Sequence, residues 1–216
     1  MPKIGIIHAT MNAVQPMIDV FNKYAPEVTV VNFVNENMLL RANKIGGADE
    51  DGLRTFTKLF FEAVEAEVDG IIIACSIFCP FASLMTAFTK VPVIAVDRPM
   101  LEKAVENGNK IGIMATTAPS GPSAKTQIES IASSVGKELK YEMEIVTDAM
   151  VALKKGDVTA HNKIIAEGGQ RLVDKGCDTI VLTQITMACA ADEMKNLEAE
   201  ILSSPLEGLK KILEMI

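Results

Sequence analysis

KIGIIHAT at residues 3–10 and KIGIMATT at residues 110–117 are nearly one phrase, written twice half a chain apart. The echo continues in order. DGIIIACS at 69–76 is answered by DTIVLTQI at 178–185, and DRPMLEKA at 97–104 by SSPLEGLK at 203–210. Three apolar segments and their flanking turns thus recur at nearly one spacing. Duplication of one α/β half is the simplest cause. Two such halves are expected to face each other across a central cleft, with matching positions on its two walls. Differences between the copies are then the most informative positions for chemistry. The sharpest is Cys75 in the first copy against Gln184 in the second.

Around these repeats, short apolar runs alternate with amphipathic ones. Strands are expected over residues 4–8, 28–33, 70–74, 91–96, 110–115, 139–146, 178–182 and 200–202. Most are continuous and β-branched, as strands buried on both faces of a parallel sheet should be. Helices are expected over 13–24, 51–67, 80–89, 100–107, 122–135, 160–175, 188–197 and 206–215. Asp51 suits a helix N-cap, and Pro80, Pro122 and Pro205 suit helix starts. Gly108 and Gly176 suit helix ends. Strict alternation of this kind gives parallel sheets with right-handed crossovers. The fold class is therefore α/β, with a four-stranded parallel sheet in each of two pseudo-symmetric halves. An eight-fold barrel fits the count too, but such barrels typically need about 250 residues. The expected division is residues 1–97 plus 204–216 for one half and 98–203 for the other. The connection NENMLLRANKIGGADE at 35–50 reads as an unusually long loop, either a surface excursion or a functional segment.

Composition narrows the function classes. The chain has 216 residues, 49% of them hydrophobic, and a net charge of −7. No basic run or aromatic-basic alternation points to nucleic acid. The apolar runs are far shorter than the roughly 20 residues that span a bilayer. The N-terminal MPKIGII runs straight into a strand without a leader, so a cytoplasmic protein is expected. The four cysteines, Cys75, Cys79, Cys177 and Cys189, do not form a disulfide framework at this size. Cys75 and Cys79 are spaced C-x3-C, but no second cluster of Cys or His completes a metal site, and none is expected. The run APSGPSA at 118–124 lacks nucleotide-binding spacing.

In open α/β sheets, ligands bind beyond the carboxyl ends of the strands. That rule selects His8-Ala9-Thr10, Cys75-Ser76-Ile77, Thr116-Thr117 and Thr183-Gln184-Ile185-Thr186. Cys75 ends the run IIIA a few residues before Pro80, where backbone N–H groups and a helix N-terminus would favour a thiolate. It reads equally as a small buried hydrophobe, a reading that also suits Cys177. His8 could orient or deprotonate Cys75, or be a satisfied histidine at a strand end. His161 opens a polar helix and is expected in solvent. Thr10, Ser76, Thr116, Thr117 and Thr186 offer hydroxyls beside loop N–H groups that can hold a carboxylate, and such residues also serve as plain caps.

Taken together, IGIIHAT at 4–10, IIIACSIFCPF at 71–81, VPVIAVDRPM at 91–100, IGIMATT at 111–117, IVLTQITMA at 180–188 and ILSSPLEG at 201–208 resemble the aspartate/glutamate racemase superfamily. That superfamily includes hydantoin racemases, maleate isomerases and arylmalonate decarboxylases. The resemblance covers nearly the whole chain. It implies two flavodoxin-like halves around a cleft and no cofactor. It implies one cysteine from each half on opposite faces of the substrate carbon, with carboxylates held by backbone N–H groups and Ser/Thr hydroxyls. Cys75 matches the first cysteine and Ser76 the small polar residue after it. The second cysteine is absent: the family's L-G-C-T is Leu182-Thr183-Gln184-Ile185 here, and an amide does not exchange protons as a thiol does. His8 stands near the place where glutamate racemases carry an Asp.

The implied activity is a racemase- or isomerase-type reaction next to a carboxylate of an amino acid, hydantoin or dicarboxylate. Cys75 and His8 would be catalytic, and Thr10, Ser76, Ile77, Thr116, Thr117, Gln184 and Thr186 would bind substrate. A one-cysteine decarboxylase or lyase and a non-catalytic small-anion-binding protein are the alternatives. The expected partner is the small carboxylate-bearing substrate, with neither nucleic acid nor membrane, and a homo-oligomer stays open.

Overall fold

The computed structural model describes residues 1–216, which divide into two compact units. Unit 1 comprises Met1–Arg98 and Pro205–Ile216, and unit 2 comprises Pro99–Ser204. In unit 1 the order is β1 (Lys3–His8), α1 (Val14–Tyr24), β2 (Thr29–Val34), α2 (Glu36–Ile45), α3 (Glu50–Glu65) and β3 (Gly70–Ala74). A short α4 (Ala82–Met85), flanked by 3-10 turns, leads to β4 (Val93–Ala95). In unit 2 the order is α5 (Arg98–Asn107), β5 (Lys110–Ala115), α6 (Ser120–Ser134), β6 (Lys140–Ile145), α7 (Thr147–Lys154), α8 (Val158–Asp174), β7 (Thr179–Leu182) and β8 (Glu200–Ser203). The helix α9 (Ser204–Met215) returns to complete unit 1.

Both sheets are four-stranded and wholly parallel, ordered β2-β1-β3-β4 and β6-β5-β7-β8. The two orders are the same pattern, so the sequence repeat is a repeat of topology. The inner strands are covered on both faces, which is why IGII, GIIIA, IGIMA and TIVL are continuous apolar runs. The edge strands β2 and β6 are only partly covered, and β6 carries Lys140, Glu142 and Glu144 among its apolar residues. At β3 the packing is close: a Cβ on Gly70 would lie 2.8 Å from Ile212 of α9 and 3.1 Å from Ile4 of β1. In unit 2, Met100, Leu101, Ile111, Ile128 and Val181 share one apolar cluster, while Met114, Ile165, Leu172, Ile180 and Leu182 share another.

The repeated KIG and D-G/D-T phrases do one structural job twice. Asp69 Oδ2 accepts the Lys3 N–H at 2.7 Å, and Lys3 Nζ donates to the carbonyl of Ala66, the C-cap of α3, at 3.0 Å. In unit 2, Asp178 accepts the Asn109 N–H at 3.1 Å and the Lys110 N–H at 3.3 Å. Lys110 Nζ donates to the carbonyl of Lys175, the C-cap of α8, at 2.7 Å. In each copy an ammonium satisfies a helix end and a carboxylate satisfies a strand start. The clasp pins the first strand to the helix and strand that arrive much later in the chain.

Several expectations are corrected. The segment at 35–50 is not a long loop: it contains α2, capped by the Asn35 side chain on the Asn37 N–H at 3.1 Å and closed by Gly46 at φ 81°. Gly46 supplies the left-handed conformation that ends a helix without strain. The start of α3 moves from Asp51 to Asp49, whose carboxylate accepts the Gly52 N–H at 2.9 Å. A helix at α7 was not expected, and the helix expected over 188–197 is a 3-10 turn at Ile185–Ala190 followed by further turns. No helix is long and apolar enough to cross a membrane.

The clasp predicts a pH-dependent contribution to stability. Burial raises the Asp178 carboxyl, but hydrogen bonds from Asn109, Lys110 and Thr179 outweigh it and hold the group below its ordinary value. A depressed carboxyl stabilises the fold above its unfolded value of about 3.9, and that contribution fades as pH falls through the folded value. Asp178→Ala should therefore cost about 1 kcal/mol at neutral pH, the low end for such hydrogen bonds because the group is exposed. Denaturant melts of both proteins should converge in strong acid.

Candidate active site at the ends of the inner strands

Inner strands β1 and β3 run side by side in register, with His8 opposite Ala74. The chain leaving β1 at Ala9-Thr10 and the chain leaving β3 at Cys75-Ser76-Ile77 therefore depart from one edge of the unit 1 sheet. Cys75 is half-buried, Ser76 exposed and Ile77 half-buried. The backbone turns at once: the N–H groups of Phe78 and Cys79 donate to the Cys75 carbonyl at 2.9 and 2.8 Å. The Ile77 and Phe78 N–H groups also lie near enough to the Cys75 sulfur to favour its thiolate.

Three influences set the acidity of Cys75. Burial pushes the thiol up, the two backbone N–H groups pull it down, and the carboxylate of Asp97 pushes it up again. Burial prevails, and the thiol lies above its ordinary value. The expected help from a helix N-terminus does not materialise. Beyond Cys75 the chain forms only a three-residue 3-10 turn at Cys79–Phe81 and the four-residue α4, too short to sum a macrodipole.

His8 is fully buried. Its Nε2 lies 2.9 Å from Asn32 Oδ1, and its Nδ1 is buried with no partner. Neither ring nitrogen bonds to Cys75. Burial lowers the imidazole's affinity for a proton, and the Asn32 bond only partly offsets this. A neutral ring that donates from Nε2 to the Asn32 oxygen keeps a bare lone pair on Nδ1. Thr10 acts as a cap, its Oγ accepting the Asn12 N–H at 3.3 Å.

The matching edge in unit 2 is built by β5 and β7, with Met114 opposite Leu182. Here Gln184 is a tie. Its Oε1 accepts from the Thr116 N–H at 2.7 Å and from the Thr116 hydroxyl at 3.0 Å. Thr183 Oγ donates to the Met114 carbonyl at 3.0 Å, reinforcing the junction. Thr117 and Ser120 share a hydroxyl–hydroxyl bond of 2.6 Å. The Thr186 hydroxyl is buried without a partner.

His161 is corrected: it is fully buried, not solvated. Its Nδ1 lies 2.9 Å from Asn162 Oδ1, which also accepts from Cys189 Sγ at 3.1 Å. Asn162 Nδ2 returns a bond to the Cys189 carbonyl at 3.1 Å. Cys177 is buried. Sequence reasoning passed over three residues of these surroundings: Asn32, Asp97 and Asn162. Asn32 was detectable as the one polar side chain in the interior of the strand TVVNFV, and Asp97 as the residue that follows the strand-like IAV.

Elsewhere, an open groove of about 420 Å³ between α2 and α3 is lined by Asn37, Met38, Arg41, Lys44, Asp51 and Thr55. None of these is a candidate for the chemistry at Cys75. Arg41 bridges Asp49 and Asp51 there, and its guanidinium holds the Asp49 carboxyl at about 2. No group of three or more His, Cys, Asp or Glu side chains is placed to hold a metal ion.

Solved structures of low sequence identity share this fold. An aspartate racemase homologue from Pyrococcus horikoshii is 14% identical, with a TM-score of 0.73 over 100% of this chain and 99% of that one. An allantoin racemase from Klebsiella pneumoniae is 15% identical, with a TM-score of 0.74 over 100% of this chain and 87% of that one. A glutamate racemase from Bacillus anthracis is 13% identical, with a TM-score of 0.67 over 99% and 82%. No curated protein matches the chain. Residues 4–205 match the family model described as Asp/Glu/Hydantoin racemase, and the chain belongs to that family.

Proposed function

We propose that the protein is a cytoplasmic, cofactor-independent racemase- or isomerase-type enzyme. It would act next to a carboxylate of a small molecule: an amino acid, a hydantoin or a dicarboxylate. The observation that carries this reading is the half-buried Cys75 thiol at the exit of an inner strand, with the Ile77 and Phe78 N–H groups near its sulfur. In a chain of the racemase family, that is the position where a thiol would meet a substrate carbon. Donors at sulfur stabilise the thiolate, while burial and Asp97 keep it scarce and strongly basic, which suits proton abstraction from carbon.

The other roles follow from the same edges. The exposed Ser76 hydroxyl and the Ile77 backbone would hold a carboxylate beside Cys75, with Thr10 nearby in the exit from β1. His8 would act as a neutral hydrogen-bonding group, since burial disfavours its cation. In unit 2, Thr117 and Thr186 would supply hydroxyls, while Thr116 would hold Gln184. Gln184 would offer only its amide NH2, because its oxygen is committed to Thr116. This last observation favours a second reading, in which Cys75 alone moves protons. One-base decarboxylation or C–N cleavage then becomes as accessible as racemisation.

Cys75→Ala and Cys75→Ser should abolish turnover across a panel of amino acids, hydantoins and dicarboxylates while leaving the melting temperature near that of the natural protein. Cys177→Ala should keep activity and lose about 1 kcal/mol, since its side chain fills buried space. Parallel loss of activity and stability in both variants would make Cys75 structural. Retained ligand binding with no turnover by the natural protein would favour the anion-binding alternative.

The acidity of Cys75 gives a second check. Its alkylation rate by iodoacetamide should still be climbing above the ordinary thiol value of about 8.5. Turnover should rise over the same range. A reactivity plateau below neutral pH would contradict the account of the buried thiol.

A third check uses Gln184. Deuterium from solvent should enter the product from one face only, as NMR of the isolated product would reveal. Gln184→Glu should weaken binding of an anionic substrate by placing a like charge beside it. Exchange at both faces with rapid inversion would require a second proton carrier.

A further inference from the structure

The turn that presents Cys75 contains a second thiol for which the proposed reaction has no use. The Cys79 N–H donates to the Cys75 carbonyl at 2.8 Å. A backbone bond across four residues sets two α-carbons about 6 Å apart, within the span that a disulfide accepts. Cys75 is half-buried and within reach of small solutes, whereas Cys79 is buried behind it. The Cys79 sulfur donates to the Ile73 carbonyl at 3.3 Å, and the nearby Asp97 carboxylate disfavours its ionisation. Asp97 is held there because Val96 bonds Ile73 at 3.1 Å, continuing the pairing of β4 with β3. An accessible thiol, a buried thiol one turn away and a carboxylate on the buried one make up a cluster.

We propose that Cys75 and Cys79 form a peroxide-sensitive pair, in which Cys75 is oxidised first and Cys79 closes an internal disulfide with Asp97 as its proton acceptor. The Cys75 thiolate attacks one oxygen of hydrogen peroxide. The O–O bond breaks, and the departing hydroxide takes a solvent proton to become water. Cys75 is left as a sulfenic acid, oxidised by two electrons, and the peroxide is reduced by two. Cys79 then passes its proton to Asp97, and its sulfur attacks the Cys75 sulfur. The S–O bond breaks, and the leaving hydroxide recovers the proton from Asp97 as a second water. Two thiols and one peroxide give one disulfide and two waters. The pair would protect Cys75 from irreversible over-oxidation, whatever reaction that thiol serves.

The experiment needs no knowledge of the substrate. The full chain is treated with stoichiometric hydrogen peroxide at mildly alkaline pH, where more of Cys75 is thiolate, and followed by intact mass. The natural protein should lose about 2 Da and regain it with dithiothreitol. Backbone cleavage after Phe78 should leave two pieces joined until reduction. Cys79→Ser should instead gain about 16 and then 32 Da at Cys75. Cys79→Ala serves the same purpose if the serine variant does not fold, as judged by its melting curve. Asp97→Asn should slow closure, so that dimedone traps more sulfenic acid at Cys75. Gain of about 32 Da at Cys75 in the natural protein, at the rate seen in the Cys79 variants, would overturn the proposal. So would a disulfide mapped to Cys177 or Cys189.

Discussion

The structure depends on strands that are sealed on both faces. β1 and β3 in unit 1, and β5 and β7 in unit 2, have nowhere to place a polar side chain except at their ends. Parallel pairing brings the carboxyl ends of neighbouring strands to one edge, so each sheet concentrates its polar residues there. His8 and Cys75 share such an edge, and so do Thr116 and Gln184. The clasps of Lys3 with Asp69 and Lys110 with Asp178 fix the opposite ends. The candidate site at one end of each sheet thus rests on charge placement at the other.

The legibility of the sequence has its origin in that sealing. A strand buried on both faces is a continuous apolar run, and four such runs in two matched pairs identify the inner strands. Elements with little buried surface are harder to see. α2 buries only Met38 and Ala42, and α7 only Ala149, so neither has an apolar stripe to betray it. The caps Asn35 and Gly46 mark α2 more clearly than its periodicity does. His161 reads as solvated because its helix looks polar. Yet His161, Ile165, Gly168 and Leu172 fall at helical spacing on one buried face.

The strand-end positions of the candidate site are legible, and its electrostatics are opaque. The strand-end rule selects Cys75 from its place in the sequence alone. It does not disclose that Asp97, more than twenty residues later, lies beside the thiol and opposes its ionisation. Nor does it disclose that Gln184 spends its oxygen on Thr116. Both facts come from pairing between strands distant in sequence. The two copies diverge most at this edge: one ends in an ionisable sulfur under electrostatic tension, the other in an amide tied to its neighbour.

The return of α9 to unit 1 has a consequence for biosynthesis. Unit 2 is one uninterrupted stretch, Pro99–Ser204, whereas unit 1 needs Pro205–Ile216 as well. Ile212 packs on Gly70 of β3, so that part of the unit 1 sheet stays uncovered while ribosomes are still reading through unit 2. The half translated first is the half completed last. During that interval the nascent chain must keep an unfinished sheet from sticking to its neighbours, and the charged clasp at Lys3 and Asp69, which lies wholly within the early segment, is available to hold its strands in register.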